Sequence, residues 1–225
     1  MTETNYPLYV SYAPNEYCID NNWWGDTVDT YTQTYTRAGS YTNINTLLYL
    51  DIAYENELAT ISINNLYNKT SGTSAYGGEL PQITFNLSGT NIVVDDNLTL
   101  DNKGVGDIDY SLTDQTGSLT ATYYTVSLTK SLTLEDSFTT LQNKVNRASE
   151  GSELVLYHDY NYDGTKDTGL IDGIVIDKDL TIDGQGFTID AKDAARIFKI
   201  DDNSKNIKFK NIKFTNARAA DGAAV

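Results

Sequence analysis

Gly173-Ile-Val-Ile-Asp-Lys-Asp-Leu-Thr-Ile-Asp-Gly-Gln-Gly-Phe-Thr-Ile-Asp190 holds three short triplets, Ile174 to Ile176, Leu180 to Ile182 and Phe187 to Ile189. Three more follow in the same order, Ile197 to Ile200, Ile207 to Phe209 and Ile212 to Phe214. Matching Ile174 with Ile197, Ile182 with Phe209 and Ile189 with Phe214 gives spacings of 23, 27 and 25 residues. Side chains alternate across a strand, so the outer residues of each triplet share an apolar face while the middle one, often Thr or Lys, meets water. A repeat of this period, with three strands to a turn, predicts a solenoid. Its corners fall at Asp183-Gly-Gln-Gly186 and Asn211, residue types that tolerate sharp bends. One turn cannot seal both ends of its own apolar column, so turns must stack. About two turns precede Val225, which predicts a truncated solenoid with open edge strands.

Upstream, Ser137 to about Ser149 predicts a helix. Asp136 or Ser137 is placed to cap it, Phe138, Leu141, Val145 and Ala148 fall on one face, and Gly151 stands where helices end. So short and one-sided a helix must lie on something apolar, and the starting end of the solenoid is at hand. Before it, Leu47 to Ile52, Leu58 to Ile63, Ile83 to Leu87, Ile92 to Val94, Leu98 to Leu100 and Leu119 to Leu128 read as strands. Turn-rich tracts, Asn68-Lys-Thr-Ser-Gly72 and Asp101-Asn-Lys-Gly104, punctuate them. Strands at this spacing predict an antiparallel sandwich of immunoglobulin type, without the cysteine and tryptophan markers of antibody domains.

Charge supports a boundary near Lys130. Residues 1–130 hold 4 Lys and Arg against 15 Asp and Glu, and residues 131–225 hold 12 against 16. A net charge of −15 argues against nucleic acid and against an anionic membrane surface. A single cysteine, Cys18, excludes an internal disulfide and a four-cysteine zinc site. No stretch approaches the apolar length of a membrane span, and Met1-Thr-Glu-Thr-Asn5 is not a secretory signal. Taken alone, that start favours the cytoplasm; the other expectation is an excerpt whose export signal and anchor lie elsewhere.

The residues from 131 to 225 resemble the adhesin-like surface proteins of methanogenic archaea. The matching features are Phe138 to Ala148, Gly151-Ser-Glu-Leu-Val-Leu156, Gly173-Ile-Val-Ile176, Leu180-Thr-Ile-Asp-Gly184, Phe187-Thr-Ile-Asp190, Arg196-Ile-Phe198 and Ile212-Lys-Phe-Thr-Asn216. Asp221-Gly-Ala-Ala-Val225 is similar to a small-residue tetrad repeated along the β-helices of polymorphic membrane proteins. Asp20-Asn-Asn-Trp-Trp-Gly25 is similar to a motif closing one β-helix before the next module; two buried tryptophans at a sandwich edge are the plainer reading. The resemblance implies an all-β chain in three parts: residues 1–38, the tail of a preceding β-helix or a linker; residues 39–130, an immunoglobulin-like β-sandwich; and residues 131–225, a capping helix and the first rungs of a right-handed parallel β-helix of pectate-lyase-like form. It also implies secretion, anchoring at the cell surface, and binding to a glycan or protein on another cell.

Several constellations bear on chemistry. Asp159, Asn161, Asp163, Thr165 and Asp167 place oxygens at alternate positions around Gly164, the pattern of a calcium loop. Leu170 occupies the position where such a loop needs a bidentate carboxylate, and a solvated acidic connector is the alternative. Asp183 with Asp190, or Asp201 with Asp202, could serve a polysaccharide lyase or hydrolase as acid and base, yet turns favour Asp for backbone reasons and no motif fixes a basic partner nearby. No catalytic residue and no cofactor beyond calcium is therefore expected. His158 is the only histidine and reads as a loop residue; Cys18 reads as a small buried hydrophobe. Asn68, Asn86 and Asn97 begin glycosylation sequons. Tyr31, Tyr35, Tyr41, Tyr123 and Tyr124 could stack on sugars or simply pair across strands. The sequence thus predicts a binding and display protein, with a carbohydrate-active enzyme fragment and a ligand-free envelope spacer as alternatives.

Overall fold

The computed structural model describes residues 46–68, 72–75, 77–80, 82–124, 126–200 and 205–219, and the short strands at 17–18, 22–23 and 42–43. The expectations for residues 1–38, for Asp20 to Gly25, Asp201, Asp202, Tyr31, Tyr35, Tyr41 and the Asp221 tetrad fall outside the described residues or on backbone alone. So do the side chains of Cys18 and Asn68. The described chain is all-β with one helix.

The first half forms two large sheets and one two-stranded one. One runs β2 (Asn22–Trp23), β4 (Thr46–Glu55), β5 (Leu58–Asn68), β10 (Val105–Leu112) and β8 (Ile92–Val94), with β6 (Gly72–Ala75) also on β5. The other runs β12 (Val126–Thr133), β11 (Thr116–Tyr123), β7 (Thr84–Thr90) and β9 (Asn97–Thr99); β1 (Tyr17–Cys18) pairs separately with β3 (Thr42–Asn43). Alternation explains their common core. Ala59, Ile61 and Ile63 of β5, Phe85 and Leu87 of β7, and Leu119 and Ala121 of β11 all point inward and are buried.

Two strand readings need correction. The run Leu119 to Leu128 is a hairpin, because Tyr123 pairs with Val126 and the chain reverses at Tyr124, which has φ +51°. β10 lies inside its sheet, between β5 and β8, yet the sequence does not show it as a strand, since Asp107 and Asp109 on its outer face mask the inward Ile108, Tyr110 and Leu112. β12 also continues to Thr133, past the Lys130 charge boundary.

The second half is parallel. It holds the helix α1 (Phe138–Arg147), then β13 (Glu153–Val155), β14 (Tyr160–Asn161), β15 (Ile174–Ile176), β16 (Leu180–Asp183), β17 (Thr188–Asp190), β18 (Phe198–Ile200), β19 (Ile207–Lys210) and β20 (Lys213–Thr215). Each strand from β13 to β17 pairs with the third one after it, giving sheets β13-β16-β19, β14-β17-β20 and β15-β18. Ile182 stands opposite Phe209 and Ile189 opposite Phe214, as the spacing predicts. Ile174 stands opposite Phe198 rather than Ile197, so the spacing there is 24 residues. Ile197 and Phe198 are both fully buried, so two successive apolar residues compete for the interior here and the count is one residue out. Phe198 stacks on Phe209 with centroids 4.8 Å apart, and Phe214 closes the group edge-on.

The corners repeat too. Asp179 accepts from the Asn206 side chain, Asp183 from Asn211 and Asp190 from Asn216, at 3.2, 3.1 and 2.9 Å, each pair joining successive passes of chain. Asn211 and Asn216 have φ of 50° and 49°, a conformation Asn tolerates better than most residues. Gly173 is required: its φ is +103°, and a Cβ there would stand 2.9 Å from the Phe198 backbone.

Candidate functional site: the junction between the cores

Ser137 caps α1, its hydroxyl accepting from the Thr140 N–H, and the helix ends at Ala148 rather than at Gly151. Phe138, Leu141 and Val145 are buried in the core of the parallel sheets, as the apolar face predicts. On the same stripe, however, lies Lys144, three residues from Leu141 and four from Ala148. It is only 6% exposed.

Lys144 meets the other half of the molecule. Its Nζ lies 2.9 Å from Glu57 Oε2 and donates to the Tyr110 carbonyl and the Ser111 hydroxyl. Glu57, 1% exposed, sits in the two-residue turn that joins β4 to β5. The Tyr160 hydroxyl donates to its Oε2 at 2.8 Å, and the Leu112 N–H donates to Oε1 at 3.3 Å. His158 Nε2 lies 2.9 Å from Oε1, and its Nδ1 lies 2.8 Å from the Asp159 carbonyl oxygen. Carbonyl and carboxylate oxygens only accept, so a ring carrying both protons satisfies both contacts. One carboxylate from the antiparallel half therefore gathers donors from the helix and from the parallel half. Arg147 adds a second tie, through Asp109 at 2.6 Å and the Asn56 carbonyl at 2.9 Å.

Electrostatics explain why this carboxylate is ionised. Burial opposes its charge, but the hydrogen bond from His158 and the Lys144 charge outweigh it, and Glu57 titrates below its ordinary value of 4.5. Burial, followed by the Glu57 charge, pushes the Tyr160 hydroxyl well above its ordinary value. A depressed carboxylate stabilises the fold above its unfolded value, and that contribution is lost as pH falls through the folded value. Acid titration of unfolding should therefore show stability falling below about pH 4.5, with a shallower slope in Glu57→Gln, measured by denaturant melts across pH.

The structure divides the calcium-loop residues. Asp167 is fully buried and accepts from the Phe138 and Thr139 N–H groups, the Thr139 hydroxyl and the Asp163 N–H. It thus caps α1 from across the chain, an arrangement that also suits the positive end of the helix dipole. Asp163 accepts from the N–H groups of Thr165 and Lys166 within its own turn, and Thr165 is exposed. Asp159 accepts from the Thr188 N–H, and Asn161 donates to Asp136. Among the described residues, no three His, Cys, Asp or Glu side chains are grouped to hold a metal ion. The connector is also not simply solvated, since Asp167 is buried within it.

Asp183 and Asp190 are placed at corners. Asp183 accepts from the Gln185 N–H and then from Asn211, which hold its carboxyl below the usual range. At Asp190 burial pushes the other way but is outweighed by Lys192 and Asn216. Both directions are the opposite of what a general acid needs near neutrality. Asn86 and Asn97 are exposed and directly opposite each other on β7 and β9. Tyr124 is 85% exposed and lies edge-on to Tyr123. No described helix is long and apolar enough to cross a membrane.

Glu57 and Lys144 were not singled out in the sequence, although both left a trace. Lys144 interrupts an apolar stripe. Asn56-Glu57 fills a hairpin turn in which Asn-Gly is favoured, and Glu57 adopts φ +55° there. Comparisons with protein-family models, curated proteins and solved structures found no match.

Proposed function

We propose that this chain is a cell-surface, adhesin-like display module, an immunoglobulin-like sandwich fixed to the first rungs of a right-handed parallel β-helix. The observation that carries the reading is the parallel pairing of each strand from β13 to β17 with the third strand following it. Such pairing sets polar residues in rows along lateral faces, Thr181 beside Lys208 and Thr188 beside Lys213. Rows of this kind suit attachment to an extended polymer or another cell. The buried Glu57 junction supports the same reading, because a display stalk must transmit orientation from one module to the next. Secretion and glycosylation at Asn86 and Asn97 belong to this proposal.

Glycan-array and cell-adhesion assays on the purified chain test it. Saturable binding to a cell-surface polysaccharide or cell is the expected result. Binding to nothing would leave an envelope spacer, and release of unsaturated or reducing sugar would replace display with catalysis.

A further inference from the structure

A cleft of about 640 Å³ separates the antiparallel half from β13. The helix α1 packs against β14 and β15, while β13 is the end strand of its own sheet. The Thr181 N–H donates to the Ser152 carbonyl and the Leu156 N–H to the Asp183 carbonyl, so Ser152, Leu154 and Leu156 turn their backbone groups toward β16. Alternation then turns the N–H and C=O of Glu153 and Val155 the other way. Both residues line the cleft, and among the described residues no backbone group pairs with that edge.

The walls give the cleft a chemical character. Val93, Leu98, Leu154 and Tyr157 supply apolar surface. Asp95, Asp107, Asp109 and Glu153 supply four carboxylates. Arg147 holds Asp109 and Lys210 holds Glu153, whereas among the described residues Asp107 accepts only a Thr60 hydroxyl and Asp95 is exposed. Lys144 also reaches this wall, but its charge is matched by Glu57. The balance is negative, the floor is apolar, and an unpaired strand edge runs along it. Those three properties together select an extended, cationic, amphipathic chain over a neutral sugar.

We propose that the cleft receives an extended segment of another protein, with Lys or Arg alternating with apolar residues, which adds to β13 as a further strand. From Ser152 to Leu156 the edge spans about 16 Å, the length of about five extended residues. Backbone bonds to Glu153 and Val155 fix the segment, its apolar side chains cover Leu154 and Tyr157, and its cations face Asp95 and Asp107. This inference stands apart from the adhesin reading, since it uses only the β13 edge and the cleft.

The test is fluorescence anisotropy with a labelled Lys-Val-Lys-Val-Lys peptide, using Glu-Val-Glu-Val-Glu as the control. The lysine peptide should bind, weakening as salt is raised, and the glutamate peptide should not. Val155→Pro removes the outward N–H without touching the bonds to β16, and should weaken binding by about tenfold or more, whereas Val155→Thr should leave it unchanged. Asp95→Asn with Asp107→Asn should weaken it about fivefold. Equal affinity for both peptides, or no effect of Val155→Pro in a folded variant, would overturn the proposal. So would displacement of the peptide by a neutral oligosaccharide, or a stable dimer of the chain that excludes it. If Val155→Pro does not fold, amide exchange of Glu153 and Val155 in the native chain decides: slowing under saturating peptide supports the proposal, and no slowing refutes it.

Discussion

Glu57→Ala is expected to lower the unfolding free energy by about 3–5 kcal/mol, the cost of stranding a buried charge whose partner has been removed. Lys144 would keep only neutral acceptors, and the Tyr160 hydroxyl, His158 Nε2 and Leu112 N–H would each lose an acceptor. The turn conformation offers a control. Because Glu57 has φ +55°, where a side chain costs about 1–2 kcal/mol, Glu57→Gly should be less damaging than Glu57→Ala by about 1 kcal/mol. Urea melts of the three proteins measure both differences. Equal losses for Ala and Gly would mean that the turn carries no strain, and a loss under about 1 kcal/mol would mean that the carboxylate does not hold the junction.

Asp167→Ala is the second large effect, with an expected loss of about 2–4 kcal/mol. The substitution leaves the first two N–H groups of α1 and the Asp163 N–H without their acceptor in a buried setting. Asp167→Asn keeps one acceptor oxygen and should lose less. The cause here is a helix cap, so thermal melts should show the same loss in EDTA and in millimolar calcium. A loss that appears only with calcium present would assign Asp167 to a metal instead.

Much of the parallel half was legible because its information is local and periodic. Ile182 over Phe209 and Ile189 over Phe214 follow from counting residues between apolar triplets. The helix was legible for the same reason, through Phe138, Leu141 and Val145. Counting failed where two neighbouring apolar residues competed for the interior, as at Ile197 and Phe198, and where acidic residues alternated along an inner strand, as at Asp107 and Asp109. The junction was hardest to read. Glu57, Lys144 and His158 are separated by 87 and 14 residues along the chain, and their meeting depends on how two cores pack, which no local period encodes. The acidic loop is hard to read for a related reason: alternating oxygens look the same in sequence whether they face an ion or the N–H groups of a distant helix. Asp167 shows the second outcome.

Nitrogen-15 relaxation of the backbone amides in solution tests the central claim, that the buried Glu57 contacts make one stiff body of the two cores. Amides of β5 and β11 and amides of β16 and β17 should fit a single anisotropic tumbling model in the native chain, and should require two models in Glu57→Ala. Separate correlation times for the two halves of the native chain would contradict the account.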